Sequence, residues 1–355
     1  MGVPRIVAGA VGEGVRDMRH VARRDGPPIT VLMSVYNGER WLDEAILSVL
    51  NQTFADFEFL IINDGSTDAS LDIIQRRAWD DPRIKVIDKP NSGLADSLNV
   101  GIKQARGEWI ARLDADDLCE PQRLERQYEL ARSEPSLVLI GAGLRQIDEQ
   151  GRPGKVFRYP RSHRRLVSHL TTAKRFFAHS SAFYRTKAVR KLGGYRSRIR
   201  RAEDFDLWLR LSEVGLLACI EEPLVRIRQH AAQISHEDGA RRSRLDSCIA
   251  ITSYWLKRAG HLDPVTGNEA DFDSFYAWFV ENLKKRHALD YHGMAYQMRK
   301  NIEGKTGPLE KLVAALVALM RQPRLSSRYL CHRLFGETLS RELAKEWAGR
   351  DRQCE

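Results

Sequence analysis

Between residues 29 and 113 the chain alternates short apolar runs with longer segments in which apolar residues recur every three or four positions. The short runs are rich in valine, isoleucine and leucine, which is typical of strands buried on both faces of a sheet. They span 29–35, 57–62, 84–87 and 108–113. The longer segments have the spacing of amphipathic helices and span 39–52, 69–77 and 94–105. This alternation predicts an α/β fold with a mostly parallel sheet flanked by helices.

The pattern changes twice further along the chain. Pro121 is followed by a helical segment and an apolar strand at 137–140, and an amphipathic helix begins at Glu203. Beyond residue 237 only helical spacing is found, over 247–258, 272–285, 309–322 and 339–347. We therefore expect an α/β domain over 27–236 and a helical C-terminal extension over 237–355. The extension is expected to complete the fold or to mediate self-association, and a basic amphipathic face on an anionic membrane is the alternative.

Residues 1–26 contain five arginines but no continuous apolar core, so we expect a disordered basic tail rather than a secretion signal. The longest apolar run, Leu312–Met320, is too short for a helix that crosses a bilayer. The five cysteines have no metal-binding spacing, which fits a reducing compartment. These features favour a cytoplasmic protein.

Charge is unevenly distributed along the chain. The net charge is +10, which favours anionic partners such as nucleic acid, acidic lipid or phosphorylated substrates. The stretch from Lys155 to Ala202 holds 15 lysines and arginines and no acidic residue. We expect this stretch to face a negatively charged partner, and a solvated helix face is the alternative. No nucleic-acid-binding motif or set of interleaved stacking aromatics accompanies the charge, so we expect no nucleic-acid partner.

Polar residues follow three of the predicted strands at the point where each strand ends. Asp114, Asp116 and Asp117 place three carboxylates within four positions directly after an apolar run. Such a cluster needs water, basic partners or a bound cation, because desolvated anions that repel each other are costly. Oxygen ligands with open coordination positions suit Mn²⁺ or Mg²⁺ shared with a phosphate-bearing substrate. A solvated acidic loop is the alternative.

Five short motifs occur together in a recognisable order. They resemble the motifs of family 2 glycosyltransferases, which are inverting enzymes with the Rossmann-like GT-A fold, and the resemblance covers about residues 28–236. The motifs span 31–37, 48–53, 63–68, 113–117 and 203–208. The chain lacks the Q-x-x-R-W motif, which argues against a processive synthase.

The resemblance assigns roles to residues at the ends of the first, second and fourth strands. Ser34 and Tyr36 match residues that contact the nucleotide base. Asp64 matches the carboxylate that accepts the uracil N3–H, a role that suits a group that only accepts hydrogen bonds. Asp114 and Asp116 match the D-x-D motif that contacts the ribose and the metal on the donor diphosphate.

Two further residues are assigned by the same resemblance. Asp204 matches the general base, and His230 lies where several members have a histidine near the metal or diphosphate. Two positions depart from the family pattern. Ser34 stands where a proline is common, and Asn63 replaces the usual first Asp of the Asp-Asp-Gly-Ser turn, which weakens the uridine preference a little.

The resemblance implies a metal-dependent hexosyl- or N-acetylhexosaminyl-transferase. Its donor would be a nucleotide diphosphate sugar, with a UDP-sugar favoured, and its acceptor a hydroxyl of a saccharide or lipid-linked glycan in cell-surface polysaccharide synthesis. Contact with the cytoplasmic face of the membrane would then be peripheral. The alternative is a sugar-nucleotide-binding protein without transferase activity, which would not need Asp204.

Overall fold

The computed structural model describes residues 26–174, 176–230, 237–285 and 340–350. Its strands are β1 (Ile29–Val35), β2 (Phe57–Asp64), β3 (Ile84–Lys89), β4 (Trp109–Arg112), β5 (Leu118–Cys119), β6 (Leu137–Ile147), β7 (Pro153–Phe157), β8 (Phe183–Arg185) and β9 (Leu216–Arg228). Its helices are α1 (Glu39–Leu50), α2 (Ser70–Asp80), α3 (Leu94–Gln104), α4 (Arg123–Ser133), α5 (His163–Thr171), α6 (Thr186–Lys191), α7 (Glu203–Leu211), α8 (Glu237–Arg258) and α9 (Glu269–Lys285). A 3-10 turn covers His179–Ser181, and residues 340–350 are also helical.

The first half of the sheet is the predicted parallel unit. Strand β1 lies between β2 and β4 and is parallel to both, so that Ile29 is opposite Phe57 on one side and Trp109 on the other. Strand β3 extends this unit beyond β2. Helices cover both faces: α1, α2 and α4 pack on one face, and α3, α5, α6 and α7 on the other. Burial on both faces explains why these strands read as continuous apolar runs.

The second half of the sheet is mixed, and the full order is β3-β2-β1-β4-β8-β6-β9-β5 with β7 paired to β6. Strand β8 is antiparallel to β4 and β6, whereas β9 runs parallel to β6. Strand β5 forms the edge, antiparallel to β9. The strand predicted at 137–140 continues to Ile147, because residues 141–147 still pair with β7 and β9.

The helical extension packs on the face of the sheet that carries α7. Phe275, Trp278 and Trp347 join α9 to residues 340–350, with the Trp347 ring 5.1 Å from each of the other two ring centroids. The helices predicted at 247–258 and 272–285 lie within α8 and α9. The predicted helix at 309–322 and nearly all of the 1–26 tail lie outside the described residues, and the division into domains stays a prediction. Within the described ranges, no helix combines the length and hydropathy needed to cross a bilayer.

Candidate active site

The carboxyl ends of β1, β2 and β4 lie side by side, and each carries residues that the sequence singles out. Ser34 is the second-to-last residue of β1, and Tyr36 directly follows the strand. Asp64 is the last residue of β2, while Asp114 and Asp116 follow β4. Because β1 pairs with both β2 and β4, the structure brings these residues to one edge of the sheet.

The loops after β1 and β2 fasten each other through reciprocal hydrogen bonds. Asn37, at a φ of 50°, accepts a hydrogen bond from the Thr67 N–H at 2.8 Å. The Glu39 N–H donates to Asp68 Oδ2 at 3.0 Å, and Glu39 Oε2 accepts from the Ala69 N–H at 2.8 Å. These bonds account for much of the Asn-Asp-Gly-Ser-Thr-Asp motif. They leave the Tyr36 ring, 56% exposed, on a fixed turn above the sheet edge.

Asp64 is almost fully buried, at 2% exposure, and its carboxylate is held from three sides. Oδ1 forms an ion pair with Lys89 and accepts the Ser92 N–H at 2.9 Å, while Oδ2 accepts the Gly93 N–H at 3.0 Å. Each carboxylate oxygen has two lone pairs, so Oδ2 retains capacity for one more donor. The neighbouring Asn63 donates instead to Asp88 Oδ1 at 2.7 Å, away from Asp64.

The three aspartates after β4 lie close together, and two of them contact one serine. Carboxylate oxygens of Asp114, Asp116 and Asp117 all lie within 4.8 Å of one another. Arg112, fully buried at the end of β4, forms an ion pair with Asp114. The Ser180 hydroxyl lies 2.7 Å from Asp114 Oδ2, contacts Asp117 Oδ2 and accepts the Asp114 N–H at 3.1 Å. The 3-10 turn at 179–181 therefore fixes the acidic cluster from the opposite side.

This cluster carries more negative charge than its neighbours balance. Burial raises the pKa of Asp116, and the charge of Asp114 raises it further, although His230 opposes the shift. Burial and the charges of both other aspartates raise the pKa of Asp117 well above its usual range. For Asp114 burial acts in the same direction, but the Arg112 guanidinium outweighs it and lowers the pKa. Clustered oxygen ligands with excess negative charge fit a hard divalent cation.

The end of β9 brings His230 to the cluster. His230 Nε2 lies 2.8 Å from Asp116 Oδ2, and the imidazole packs on Trp41 with ring centroids 4.4 Å apart. The buried Arg228 fixes this arrangement because its backbone N–H donates to Asp117 Oδ1 at 2.9 Å and its Nε donates to the Asp116 carbonyl at 3.1 Å. Asp116 and His230 are thus placed as adjacent candidate ligands.

Asp204 lies in the first turn of α7. Burial raises the pKa of Asp204, and Asp114 adds to the shift, whereas the Phe205 N–H and Arg112 lower it. Arg112 and Asp114 therefore lie close enough to Asp204 for their charges to change its pKa. Burial together with Asp204 raises the pKa of the adjacent Glu203 to about 8.

Several residues of this site were not singled out by the sequence. The acidic cluster is held by Arg112, Ser180 and Arg228. The neighbouring His179 forms a 2.7 Å hydrogen bond between its Nε2 and the Tyr195 hydroxyl. An arginine inside an apolar strand next to three aspartates is a signal that could have identified Arg112. Ser180 and Arg228 reach the cluster from 63 and 111 residues away, so no local pattern marks them.

Comparisons with known proteins identify the family of this chain. The family model described as Glycosyl transferase family 2 matches residues 30–193. The glycosyltransferase EpsE of Bacillus subtilis is 38% identical over 209 residues, which cover 58% of this chain and 74% of EpsE. The O-antigen biosynthesis glycosyltransferase WbnJ of Escherichia coli is 33% identical over 184 residues, or 52% of this chain and 71% of WbnJ.

A solved structure resembles nearly the whole chain. TarS of S. aureus (residues 1–349) superposes with a TM-score of 0.54 at 16% identity, over 92% of this chain and 92% of that one. At this identity the likeness concerns the fold, which in both proteins is the GT-A arrangement followed by helices. TarS has also been crystallised with UDP and with UDP-GlcNAc. With a matching family model and a relative such as EpsE, this chain belongs to glycosyltransferase family 2.

Proposed function

We propose that this protein is an inverting transferase that moves a sugar from a UDP-sugar to a hydroxyl group of a saccharide or lipid-linked glycan. The observation that carries the proposal is the grouping of three aspartates with His230 at one sheet edge, with Asp204 in the same electrostatic environment. Such a cluster suits a divalent cation that would bind the donor diphosphate, and a separate carboxylate suits proton removal from an acceptor.

The donor's base would bind at the ends of β1 and β2. Tyr36 offers an exposed ring on a fixed turn, beside Ser34, and Asp64 offers a carboxylate oxygen with capacity for the uracil N3–H. The presence of UDP and UDP-GlcNAc in TarS structures supports a uridine donor. A purine base would not present the same single N–H to Asp64, so a UDP-sugar is favoured.

Asp116 and His230 are the residues that would hold Mn²⁺ or Mg²⁺, with Asp114 beside them toward the ribose. When bound, such a cation acts as a Lewis acid that stabilises the charge developing on the departing diphosphate. Asp204 accepts the proton of the acceptor hydroxyl while that oxygen attacks the anomeric carbon from the face opposite the leaving group. One displacement inverts the configuration, so no residue has to act as a covalent nucleophile. The raised pKa of Asp204 brings its basicity closer to that needed at neutral pH.

The Lys155–Ala202 stretch is the candidate surface for the acceptor. Within the Lys155–Ala202 stretch, Arg185 pairs with Glu108 and Arg196 pairs with Asp206, so these two cations serve the fold. The remaining exposed cations include three before and within α5, namely Arg161, Arg164 and Arg165. An anionic acceptor or an anionic membrane surface would complement this charge. The O-antigen role in the name of WbnJ supports a polysaccharide acceptor.

Donor and metal can be tested together. Thermal shifts are measured with UDP-glucose, UDP-galactose, UDP-GlcNAc, UDP-GalNAc, UDP-glucuronate and GDP-mannose, each with and without Mn²⁺. We expect one UDP-sugar to give the largest Mn²⁺-dependent shift and to be hydrolysed slowly to UDP. A best response to GDP-mannose would contradict the uridine assignment.

Variants then separate a transferase from a protein that only binds the donor. Asp116→Ala should remove the Mn²⁺-dependent shift. Asp204→Asn should keep donor binding but lower the rate of donor hydrolysis by on the order of 10²–10⁴-fold, the usual contribution of a general base. Asp72→Asn, on the exposed side of α2, is the control. Unchanged hydrolysis by Asp204→Asn would remove Asp204 from the base role, and absence of turnover in the wild type would favour the binding protein.

A further inference from the structure

We propose that the helical extension is a working part of the active site, because it holds α7, the helix that carries Asp204, in its catalytic position. Asp263, in the loop between α8 and α9, is the central positioning residue. The inference rests on the proposed base role of Asp204. It gives the extension a function beyond completing the core.

Residues 196–201 lead directly into α7 and are held by the extension at three points. The Arg196 guanidinium forms an ion pair with Asp263. Arg198 Nη1 donates to two carbonyl oxygens of the same α8–α9 loop, at 3.1 and 2.6 Å. The backbone N–H of Arg201 donates to Asp246 Oδ2 on α8 at 3.0 Å. All three contacts fall within eight residues of Asp204 along the chain.

The same arginine continues the connection into α7. Arg196 Nε lies 2.9 and 3.1 Å from the two carboxylate oxygens of Asp206, which is 1% exposed. Arg210, one turn later, donates from Nε to Asp206 Oδ2 at 2.9 Å. Asp263, Arg196, Asp206 and Arg210 therefore form a buried row of alternating charge. Asp206 is two residues from Asp204, so the row passes through the helical turn that bears the proposed base.

Asp263 is itself fixed in place. Its Oδ1 accepts hydrogen bonds from the Ser253 hydroxyl at 2.6 Å and from the Val265 N–H at 3.0 Å. Both contacts belong to the extension, so Asp263 presents its other oxygen to Arg196 from a rigid support.

The energetics favour a positioning role over a purely stabilising one. Buried ion pairs lose much of their Coulomb attraction to desolvation, and apolar residues of similar size often stabilise a fold as well or better. What a hydrogen-bonded charged row supplies is a defined orientation. Orientation matters at a proton-abstracting carboxylate, where a misplacement of ~1 Å costs about 10²-fold in rate.

The test uses the full-length Asp263→Asn variant and the UDP-sugar selected by thermal shift, with Mn²⁺. We expect kcat for donor hydrolysis to fall about 10-fold, while the KM for the donor and the Kd of UDP stay within about twofold of wild type, because the donor site lies on β1, β2 and β4. Asp263→Glu, which keeps the charge, should recover part of the lost rate. The control is Asp43→Asn, which breaks the ion pair of Asp43 with Arg77 between α1 and α2, away from α7.

A gentler variant keeps the test decisive if Asp263→Asn does not fold. Ser253→Ala removes only one hydrogen bond to Asp263 and should lower kcat about threefold with an unchanged Kd for UDP. The inference is overturned if folded Asp263→Asn or, failing that, folded Ser253→Ala keeps the wild-type kcat, or loses UDP affinity as much as kcat. Failure of the proposed function is distinguishable, because then Asp204→Asn itself would retain hydrolysis.

Discussion

The Ser180 hydroxyl has one proton and yet contacts carboxylates of both Asp114 and Asp117. It cannot donate to both at once, so one of the two contacts needs a proton from the carboxyl group. Asp117 is the natural source, because burial raises its pKa well above the usual range. A proton on Asp117 would let Asp117 donate to Ser180 while Ser180 donates to Asp114.

Replacing Ser180 by alanine should therefore remove the contacts that fix the positions of Asp114 and Asp117, while all three aspartates remain. We expect Ser180→Ala to weaken Mn²⁺-dependent UDP binding about 10-fold, because two carboxylates lose the group that sets their spacing. Ser181→Ala is the matched control, since the Ser181 hydroxyl donates to the Ala178 carbonyl at 2.8 Å and not to an aspartate. Calorimetric titration of UDP with Mn²⁺ measures the effect, and equal affinities of the two variants would contradict it.

Glu203 provides a prediction of pH dependence. Burial, followed by the charge of Asp204, raises its pKa to about 8 from an ordinary value of 4.5. The unfolded chain releases this proton above about pH 4.5 and the folded protein keeps it until about pH 8, so Glu203 costs the wild type stability as the pH rises through that window. Glu203→Gln should be the more stable protein at pH 8, by on the order of 2–4 kcal/mol, with little difference at pH 4.5.

Urea unfolding at pH 4.5, 6.5 and 8 measures this difference. The exposed Glu129→Gln variant is the control for loss of a carboxylate without burial. A stability difference that does not change with pH would show that Glu203 acts through packing rather than through its proton.

At the level of single residues, the sequence predicted those that stand next to a recognisable pattern of strand or helix residues. The aspartates at 114 and 116 follow an apolar strand, and Asp204 begins an amphipathic helix. Ser180 and Arg228 could not be found in this way, because their contacts with the aspartates form only when the 3-10 turn before β8 and the end of β9 fold against the residues that follow β4. Side chains that orient other side chains leave no periodicity and no motif of their own.

Among the structural elements, the paired loops after β1 and β2 depend on Asn37. Its φ of 50° is unfavourable for most side chains, and its Oδ1 accepts the Thr67 N–H. Asn37→Ala should lose that hydrogen bond and add backbone strain, at a cost of about 2–3 kcal/mol. Asn37→Gly should lose the hydrogen bond alone and cost about 1 kcal/mol. Urea midpoints measure both variants, and a glycine variant less stable than the alanine variant would contradict the assignment of strain.

The elements also show where sequence patterns stop being informative. Strands β1, β2 and β4 were predicted because burial on both faces makes each a largely apolar run, and the edge strand β3 was predicted from the short run at 84–87. Strand β8 has three residues and β9 changes register along β6, so neither offers a regular alternation. Their positions are decided by pairing with β4 and β6, which are remote in the chain. The parallel half of the sheet was therefore predictable from the sequence, and the mixed half was not.

The whole molecule should respond to a cation at the acidic cluster. Because burial and mutual repulsion raise the pKa values of Asp116 and Asp117, protons compete with a metal for these oxygens at low pH. Mn²⁺ at about 100 times its Kd adds about 2.7 kcal/mol to the free energy of unfolding. We expect the rise in Tm with Mn²⁺ to be larger at pH 8 than at pH 5.5 and to vanish in Asp116→Ala. A rise that is equal at both pH values would contradict this competition.

The pairing of β5 with β9 at the edge of the sheet has a consequence for how the site can vary. Asp116 lies two residues before β5, and His230 lies two residues after β9. Both residues are therefore attached to the small antiparallel ribbon formed by β5 and β9. Any shift of that ribbon carries them together and preserves their separation. The turn after β1 and helix α7 belong to other elements, so a substitution in either can change its own position while Asp116 and His230 stay paired.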